Sequence, residues 1–355
     1  MSPRHLAAAL LLPGLIVTSA SAYEIVQIPT DRGNVALYLP SDAAPESALP
    51  LVVSLHGYTG NANEHENYFK LRNQVDDKQF LLCVPNGLMN PQGDRFWYGT
   101  DVCCDFSFQR PDDSGYLREL IETIMVDQLV DPLSIHVVGH SNGGFMSYRM
   151  ACDNADLVAS IASLAGATFA NPSACSPSEP VHVLQIHGTA DDVIDYDGSC
   201  FGPFCYPGAL QSVLTWSNYN QCTGELQSKE SLDLVGGIAG AETSRSLVEK
   251  SCSENGVCEL WSINGGNHGP SFNGNFAREL VDWLLGHRKP DPNECIADLN
   301  QDGTIDGVDL GLMLAAWSSI QDCQGEACIA DLNADLRVDG SDLGIFLSGW
   351  GNDCP

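Results

Sequence analysis

The sequence predicts an α/β fold, a doubly wound and mostly parallel sheet, followed by a small all-α module. Three observations carry this. Short apolar runs alternate with helical patterns between residues 49 and 286, the rhythm of repeated β-α units. The apolar runs end in glycine-containing turns, as strands do when they hand over to a crossover helix. Beyond residue 294 the texture becomes acidic and repetitive, with residues 295–317 recurring as residues 328–350, a shift of 33.

The elements follow in order. Residues 1–22 have the three-part layout of a secretory signal peptide: Arg4 near the start, an apolar stretch from Leu6 to Val17, and Ala20-Ser21-Ala22 as a cleavage site. That stretch is too short to cross a bilayer and no later run is long enough, so the mature chain is expected to be secreted without a transmembrane segment. Glu24 to Leu39 alternates about Thr30-Asp31-Arg32-Gly33-Asn34 and reads as a hairpin. Leu49–Leu55, Phe80–Val84, Ile135–Val138, Val181–Ile186 and Leu260–Ile263 read as buried parallel strands. Ser114–Leu129 and Gly143–Cys152 read as helices, with weaker helical patterns at Gly208–Tyr219 and Phe276–Leu285. The expected domains are therefore 23–288, a proline-containing linker at 289–294, and a separate module at 295–355.

Composition narrows the function. The 355 residues carry 46 acidic and 16 basic side chains, a formal charge of −30. Phosphate backbones and anionic lipid repel such a chain, which excludes nucleic acid and polybasic membrane contacts as partners. Cysteine occurs 14 times, which points to an oxidising compartment. No CxxC…CxxC spacing offers a zinc site.

The chemistry is expected at the strand ends. Gly139-His140-Ser141-Asn142-Gly143 has the G-x-S-x-G form between a predicted strand and a predicted helix, the setting in which a strained turn projects a serine hydroxyl outward. A serine needs a base to take its proton and a carboxylate to orient that base. Asp191 follows the strand Val181–Ile186, and His268 lies in the glycine-flanked loop Gly265-Gly266-Asn267-His268-Gly269, whose glycines leave the ring free to swing. Ser141, Asp191 and His268 thus occur in the chain order of α/β-hydrolases. Asp192 and Asp195 compete for the acid role; His187, His140 and His56 read as strand-end histidines satisfied by backbone partners. The backbone N–H groups of Asn142 and of Tyr58, after His56-Gly57, are the candidate oxyanion donors. Trp97 is a candidate substrate-binding wall, with core packing as the competing reading.

Several segments carry a resemblance. LHGYTG (55–60), VPNGL (84–88), FWYGTDVCCD (96–105), DDSGYLRELI (112–121), GHSNGGFMSYRMAC (139–152), LAGATF (164–169), HGTADDVIDYDG (187–198) and GGNH (265–268) are the matching pieces. In order and spacing they resemble the secreted esterases that join polyhydroxybutyrate depolymerases with feruloyl and acetylxylan esterases, carbohydrate esterase family 1. The resemblance implies an α/β-hydrolase fold, ester hydrolysis without a catalytic cofactor, and the same Ser141, Asp191 and His268. It also implies disulfides Cys152–Cys175 and Cys222–Cys252. The sequence departs from the family pattern at Tyr58, where members often carry cysteine, and at Gly269-Pro270-Ser271, where they often continue as H-x-W-P. All ten cysteines of the first domain are expected to form disulfides; Cys200 and Cys205 are close enough for a small loop, and the vicinal Cys103-Cys104 could pair outward.

The tail repeats a calcium-loop pattern. Asp298, Asn300, Asp302, Thr304, Asp306 and Asp309 occupy positions 1, 3, 5, 7, 9 and 12 of a twelve-residue loop with Gly303 at position 6. Asp331, Asn333, Asp335, Arg337, Asp339 and Asp342 repeat the register, with position 7 acting through its carbonyl and Leu336 replacing the glycine, so the second loop is expected to bind more weakly. Each loop runs into an apolar helix, Leu310–Trp317 or Leu343–Trp350. The pair resembles a type I dockerin module, which implies calcium and a cohesin-type scaffold or cell-surface partner. Cys295, Cys323, Cys328 and Cys354 are expected to staple this small module. The resulting expectation is a secreted serine esterase acting on plant polysaccharide esters of feruloyl or acetyl type. Polyhydroxybutyrate or another polyester is the alternative substrate, and a peptidase or a calcium-dependent binding protein on an inert hydrolase scaffold are the rival readings.

Overall fold

The structure, a computed structural model, describes residues 23–44, 47–248, 252, 256–290, 296–300, 302–317, 329–333 and 337–351. The expected signal peptide, residues 291–294 of the expected linker, Asp335, Leu336, Cys295, Cys323, Cys328 and Cys354 lie outside the described residues. The chain divides into two compact units, one ending at Arg288 and one beginning at Lys289.

The first unit opens with β1 (Glu24–Thr30), β2 (Gly33–Leu39), β3 (Leu49–Leu55), α1 (Ala62–Phe69), α2 (Val75–Lys78), β4 (Leu81–Val84), β5 (Leu88–Met89) and β6 (Arg95–Phe96). It continues with α3 (Asp113–Asp127), β7 (Val130–His140), α4 (Asn142–Asp153), β8 (Ser160–Leu164), β9 (His182–Gly188), β10 (Gly198–Phe201) and β11 (Phe204–Pro207). It closes with α5 (Ala209–Tyr219), β12 (Gln227–Leu232), β13 (Thr243–Val248), β14 (Cys258–Ile263) and α6 (Asn275–Leu285). Ten strands form one sheet in the order β1-β2-β4-β3-β7-β8-β9-β14-β13-β12. The block β4-β3-β7-β8-β9-β14 is parallel and holds all five runs read as buried parallel strands. Antiparallel strands flank it on both sides.

Three sheet strands escape sequence reading for different reasons. β8 reads SIASL, too short and too rich in small residues for periodicity to mark it. The edge strand β12 reads QSKESL and is mostly exposed, and β13 is half-buried, so neither presents an apolar run. Burial organises the rest. Leu117 and Ile121 of α3, Met146 and Met150 of α4, and Val213 and Trp216 of α5 pack on one face of the sheet. Phe69 of α1, Val75 of α2, and Phe276, Leu280 and Leu284 of α6 cover the other, which makes the sheet doubly wound.

Disulfides join Cys152 to Cys175, Cys200 to Cys205 and Cys222 to Cys252. Two expectations are corrected. Cys103 and Cys104 pair with each other and not outward. Cys83 and Cys258 are free thiols, buried in β4 and β14; burial pushes the Cys258 thiol up to about 12.

In the second unit, α7 (Gly307–Ala316) and α8 (Gly340–Ser348) each begin three residues earlier than the apolar pattern, because Asp306 and Asp339 cap them in full capping boxes with Asp309 and Asp342. Their core among the described residues is small: Ala297, Ile305, Met313, Ala330, Val338 and Phe346.

Candidate active site

The carboxyl edge of the parallel block gathers the predicted residues. Ser141 follows β7 and caps α4 at φ 54° and ψ −117°, a conformation that non-glycine residues hold only when their surroundings over-determine it. The surroundings here are steric. A Cβ on Gly143 would collide with the Leu55 carbonyl of β3, and one on Gly139 with the Gly143 backbone. The two motif glycines therefore let the helix start press onto the strands. The Ser141 amide donates to the Leu164 carbonyl at 2.7 Å, so the turn is also tied to β8.

Asp191 and His268 come together from separate strand ends. His268 Nδ1 lies 2.8 Å from Asp191 Oδ2. Because an ionised carboxylate only accepts, Nδ1 carries the proton and Nε2 is left able to accept one. Asp191 Oδ1 accepts from the amides of Val193 and Ile194, both at 2.9 Å. Burial pushes the Asp191 carboxyl up, yet hydrogen bonds from His187, His268 and the Val193 amide outweigh it and hold the group far below the ordinary carboxylate range. Asp191, and neither Asp192 nor Asp195, meets the histidine.

One glycine of the His268 loop also serves a close approach of two loops. A Cβ on Gly188 would strike Gly266, so these two residues pack backbone to backbone. The Ala190 amide donates to the Gly266 carbonyl and the Gly265 amide to Thr189 Oγ1, at 2.9 and 2.8 Å, which zips the acid loop to the histidine loop. His140, next to Ser141, donates from Nε2 to the His268 carbonyl at 2.9 Å and anchors that loop beside the serine turn.

The three strand-end histidines do have backbone partners. His56 Nε2 accepts from the Gly87 amide, which leaves its Nδ1–H for the Gly57 carbonyl. His187 Nε2 lies 2.8 Å from the Ile194 carbonyl. Burial lowers both His56 and His140 to about 4, with the neighbouring His268 a second cause for His140.

Tyr58 follows Gly57, whose added Cβ would lie 3.4 Å from the Ser141 Cβ. The next two amides, of Thr59 and Gly60, donate to the carbonyls of Arg95 and Gly57. Trp97 is fully buried and tilted against His56 at a 5.3 Å ring separation, so it supports the site from the core and does not form an exposed wall. Its backbone explains the burial. Asn142 Oδ1 accepts from the Trp97 amide at 2.7 Å and Asn142 Nδ2 donates to its carbonyl at 2.8 Å, so one side chain takes the place of a paired strand. The same Nδ2 reaches Cys103 Sγ, which brings the vicinal disulfide into the site. Sequence reasoning missed this clamp and the contact of His187 with Asp191. The available signal was polar residues, Gln185 and His187, alternating on one face of an otherwise apolar strand.

The loops of the second unit have a different build. Asp298 accepts from the amides of Asp302 and Gly303, where Gly303 sits at φ 90°. Asp302 accepts from Thr304, and Asp306 from Val308. Asp309 is fully buried and its two oxygens accept the amides of Asn300 and Asp306. Asp342 repeats this with Leu332, Asn333 and Asp339. Among the described residues no group of three or more His, Cys, Asp or Glu is disposed to hold a metal ion.

Comparison with known proteins decides the family. An esterase family model matches residues 27–234. The chain belongs to this esterase family, whose members are carboxylic ester hydrolases. Feruloyl esterase B of Piromyces equi is 26% identical over 242 residues, 66% of this chain and 42% of that protein. Poly(3-hydroxyalkanoate) depolymerase C of Paucimonas lemoignei is 24% identical over 174 residues, 44% of this chain and 37% of its own. Among solved structures, the acetyl xylan esterase from Aspergillus awamori matches with a TM-score of 0.52 at 15% identity, over 74% of this chain and 98% of that one, a likeness of fold. The chain spans about half or less of the length of the first curated relatives it matches. Among the described residues no helix is long and apolar enough to cross a membrane.

Proposed function

We propose that this esterase is a secreted serine hydrolase that cleaves feruloyl or acetyl esters of plant polysaccharides through Ser141, His268 and Asp191. The observation that carries the reading is the Asp191–His268 hydrogen bond at 2.8 Å, which orients a histidine with a free Nε2 beside the strained turn of Ser141. His268 Nε2 takes the Ser141 proton as Oγ attacks the ester carbonyl carbon. The carbonyl π electrons move to oxygen, and the amides of Asn142 and Tyr58 hold that oxyanion. The Ser141 amide is committed to Leu164 and those of Thr59 and Gly60 to other carbonyls, which leaves these two positions as the natural donors. Collapse of the tetrahedral species breaks the bond to the alcohol oxygen, which leaves with the proton from His268. Water, deprotonated by the same nitrogen, then releases the acid and restores Ser141.

The acyl preference rests on the feruloyl and acetylxylan relatives. A polyester substrate is the second reading, favoured by the depolymerase relative. Rates on methyl ferulate, acetylated xylan and polyhydroxybutyrate granules separate the two. Ser141→Ala should lower hydrolysis of p-nitrophenyl acetate and methyl ferulate by at least about 10³-fold without loss of fold. Equal rates in wild type and variant would sink the serine mechanism.

For the second unit we infer two dockerin-like calcium loops. Asp298, Asn300, Asp302, the Thr304 carbonyl, Asp306 and Asp309 would hold one ion; Asp331, Asn333, Asp335, the Arg337 carbonyl, Asp339 and Asp342 would hold the other. An all-oxygen donor set suits a hard cation, and the Gly303 turn and buried Asp309 support the loop shape. Such a module would tether the enzyme to a cohesin-type scaffold. Calorimetry on the full chain tests this, with one tighter and one weaker calcium site expected and no heat at millimolar calcium as the disproof.

A further inference from the structure

We infer that His187 is a positioning residue for the acid of the active site: its single Nε2–H, shared between the Ile194 carbonyl and Asp191 Oδ2, sets the carboxylate at the angle His268 needs. The inference rests on the proposed role of Asp191.

The geometry is closed on every side. His187 Nε2 is 2.8 Å from the Ile194 carbonyl and 3.3 Å from Asp191 Oδ2, the oxygen that also receives His268 Nδ1. A carbonyl only accepts, so Nε2 carries the proton and Nδ1 is the acceptor. Gln185 fits that tautomer. Its Nε2 lies 3.1 Å from His187 Nδ1 and 2.9 Å from the Gly166 carbonyl, so its amide nitrogen donates to both. The amide orientation is fixed in turn by Tyr148, whose hydroxyl donates to Gln185 Oε1 at 2.7 Å. Tyr148, Gln185 and His187 are all buried, so each partner in this chain is strongly held. The chain therefore runs from a tyrosine in α4, the helix that Ser141 caps, through β9 to the acid.

Two effects meet at Asp191. The Nε2–H faces the carboxylate, with Nε2 3.3 Å from Oδ2. It also holds the Ile194 carbonyl, and the Ile194 amide is one of the two that grip Asp191 Oδ1. The other groups facing the acid are His268 from the loop after β14, His140 from the end of β7 and Tyr206 from β11. None of these replaces a donor at Oδ2 from the β9 side.

Removing the donor makes the carboxylate a stronger acceptor, so the protonated state of the Asp191–His268 pair persists to higher pH. His187→Leu should lower kcat on p-nitrophenyl acetate about tenfold with KM within about twofold, and move the acid limb of kcat/KM up by about half a pH unit. His187→Gln keeps a donor at similar reach and should restore most of kcat and the position of the limb. Asp191→Asn is the control. If it loses activity while His187→Leu keeps the wild-type kcat and pH profile, the inference fails even where the variant melts earlier. If Asp191→Asn is itself fully active, the role of Asp191 fails instead. Should His187→Leu not fold, ¹⁵N NMR of the wild-type histidines decides: an Nε2–H tautomer for His187 supports the inference and an Nδ1–H tautomer overturns it.

Discussion

Asp191 and Asp309 are both buried carboxylates with every oxygen engaged, and they are held in opposite ways. Asp191 takes two imidazoles and two amides, drawn from a strand end, its own turn and a loop 77 residues away. Asp309 takes two backbone amides from its own loop, at Asn300 and Asp306. The first arrangement exists only if the whole sheet is in register, because β9 and β14 must deliver their ends side by side. The second needs little beyond local sequence, and the six-residue core beneath it adds little more. In one unit charge is preorganised by long-range packing; in the other, loop shape and charge are nearly the same object.

The largest test of this contrast is steric. Gly143→Ala should be destabilising by more than about 4 kcal/mol, enough to abolish soluble expression, because the new methyl meets the Leu55 carbonyl and neither strand nor helix can yield. Solubility and Tm beside wild type are the readout, and a variant with near-wild-type Tm would mean that the sheet and α4 are loosely joined.

Next in size is removal of the ion proposed for the second unit. Chelation should melt α7 and α8, seen as loss of amide protection there, while the rate of ester hydrolysis stays unchanged. A fall in esterase rate on chelation would break the separation between the two regions.

What could be read from the sequence follows the same division. Ser141, Asp191 and His268 were legible because each sits in a short motif just past an apolar strand. The repeated acidic register proposed to hold calcium could be read because all of its residues lie within twelve positions. His187 and the Asn142 side chain were not. His187 acts on Asp191 four residues on, but only after a turn folds back, and its tautomer is set through Gln185 by Tyr148 on another element. Asn142 pairs with the backbone of Trp97, 45 residues away, and a side chain that mimics a strand has no periodic signature. The sequence allows Trp97 as a pocket wall or as core, a choice that only the position of β6 and His56 makes.

Acid should separate the units by a smaller margin. His56, His136 and His140 are buried neutral, lowered by burial to about 4, about 3 and about 4, and burial lowers His65 and His287 as well. A depressed folded value means that their stability contribution is full above the unfolded imidazole value near about 6.5 and is lost as pH falls toward the folded values. Glu66 works against them: burial raises it to about 7, so its contribution is full at low pH and lost as pH rises from about 4.5 through about 7. Five histidines outweigh one carboxyl, and the first unit should melt at least about 5 °C lower at pH 5 than at pH 7. Residues 289–355 contain no histidine, so the second unit should keep its transition over that interval. Calorimetry at the two pH values checks both, and a parallel drop in the two transitions would count against the histidine account.

The smallest effect has the opposite sign and concerns glycine again. Gly311 in α7 and Gly344 in α8 are exposed interior helix positions, and a Cβ at either meets nothing within 4 Å. Neither is in the left-handed region, so alanine fits without strain. Glycine there only widens the unfolded ensemble that folding must narrow. Gly311→Ala and Gly344→Ala should each stabilise the second unit by about 0.5 to 1 kcal/mol and leave the affinity of the proposed calcium sites unchanged or slightly tighter. Chemical denaturation followed at the helices measures this. A loss of stability at either position would mean that the helix face is packed against something, and that the second unit is held by more than its own loops.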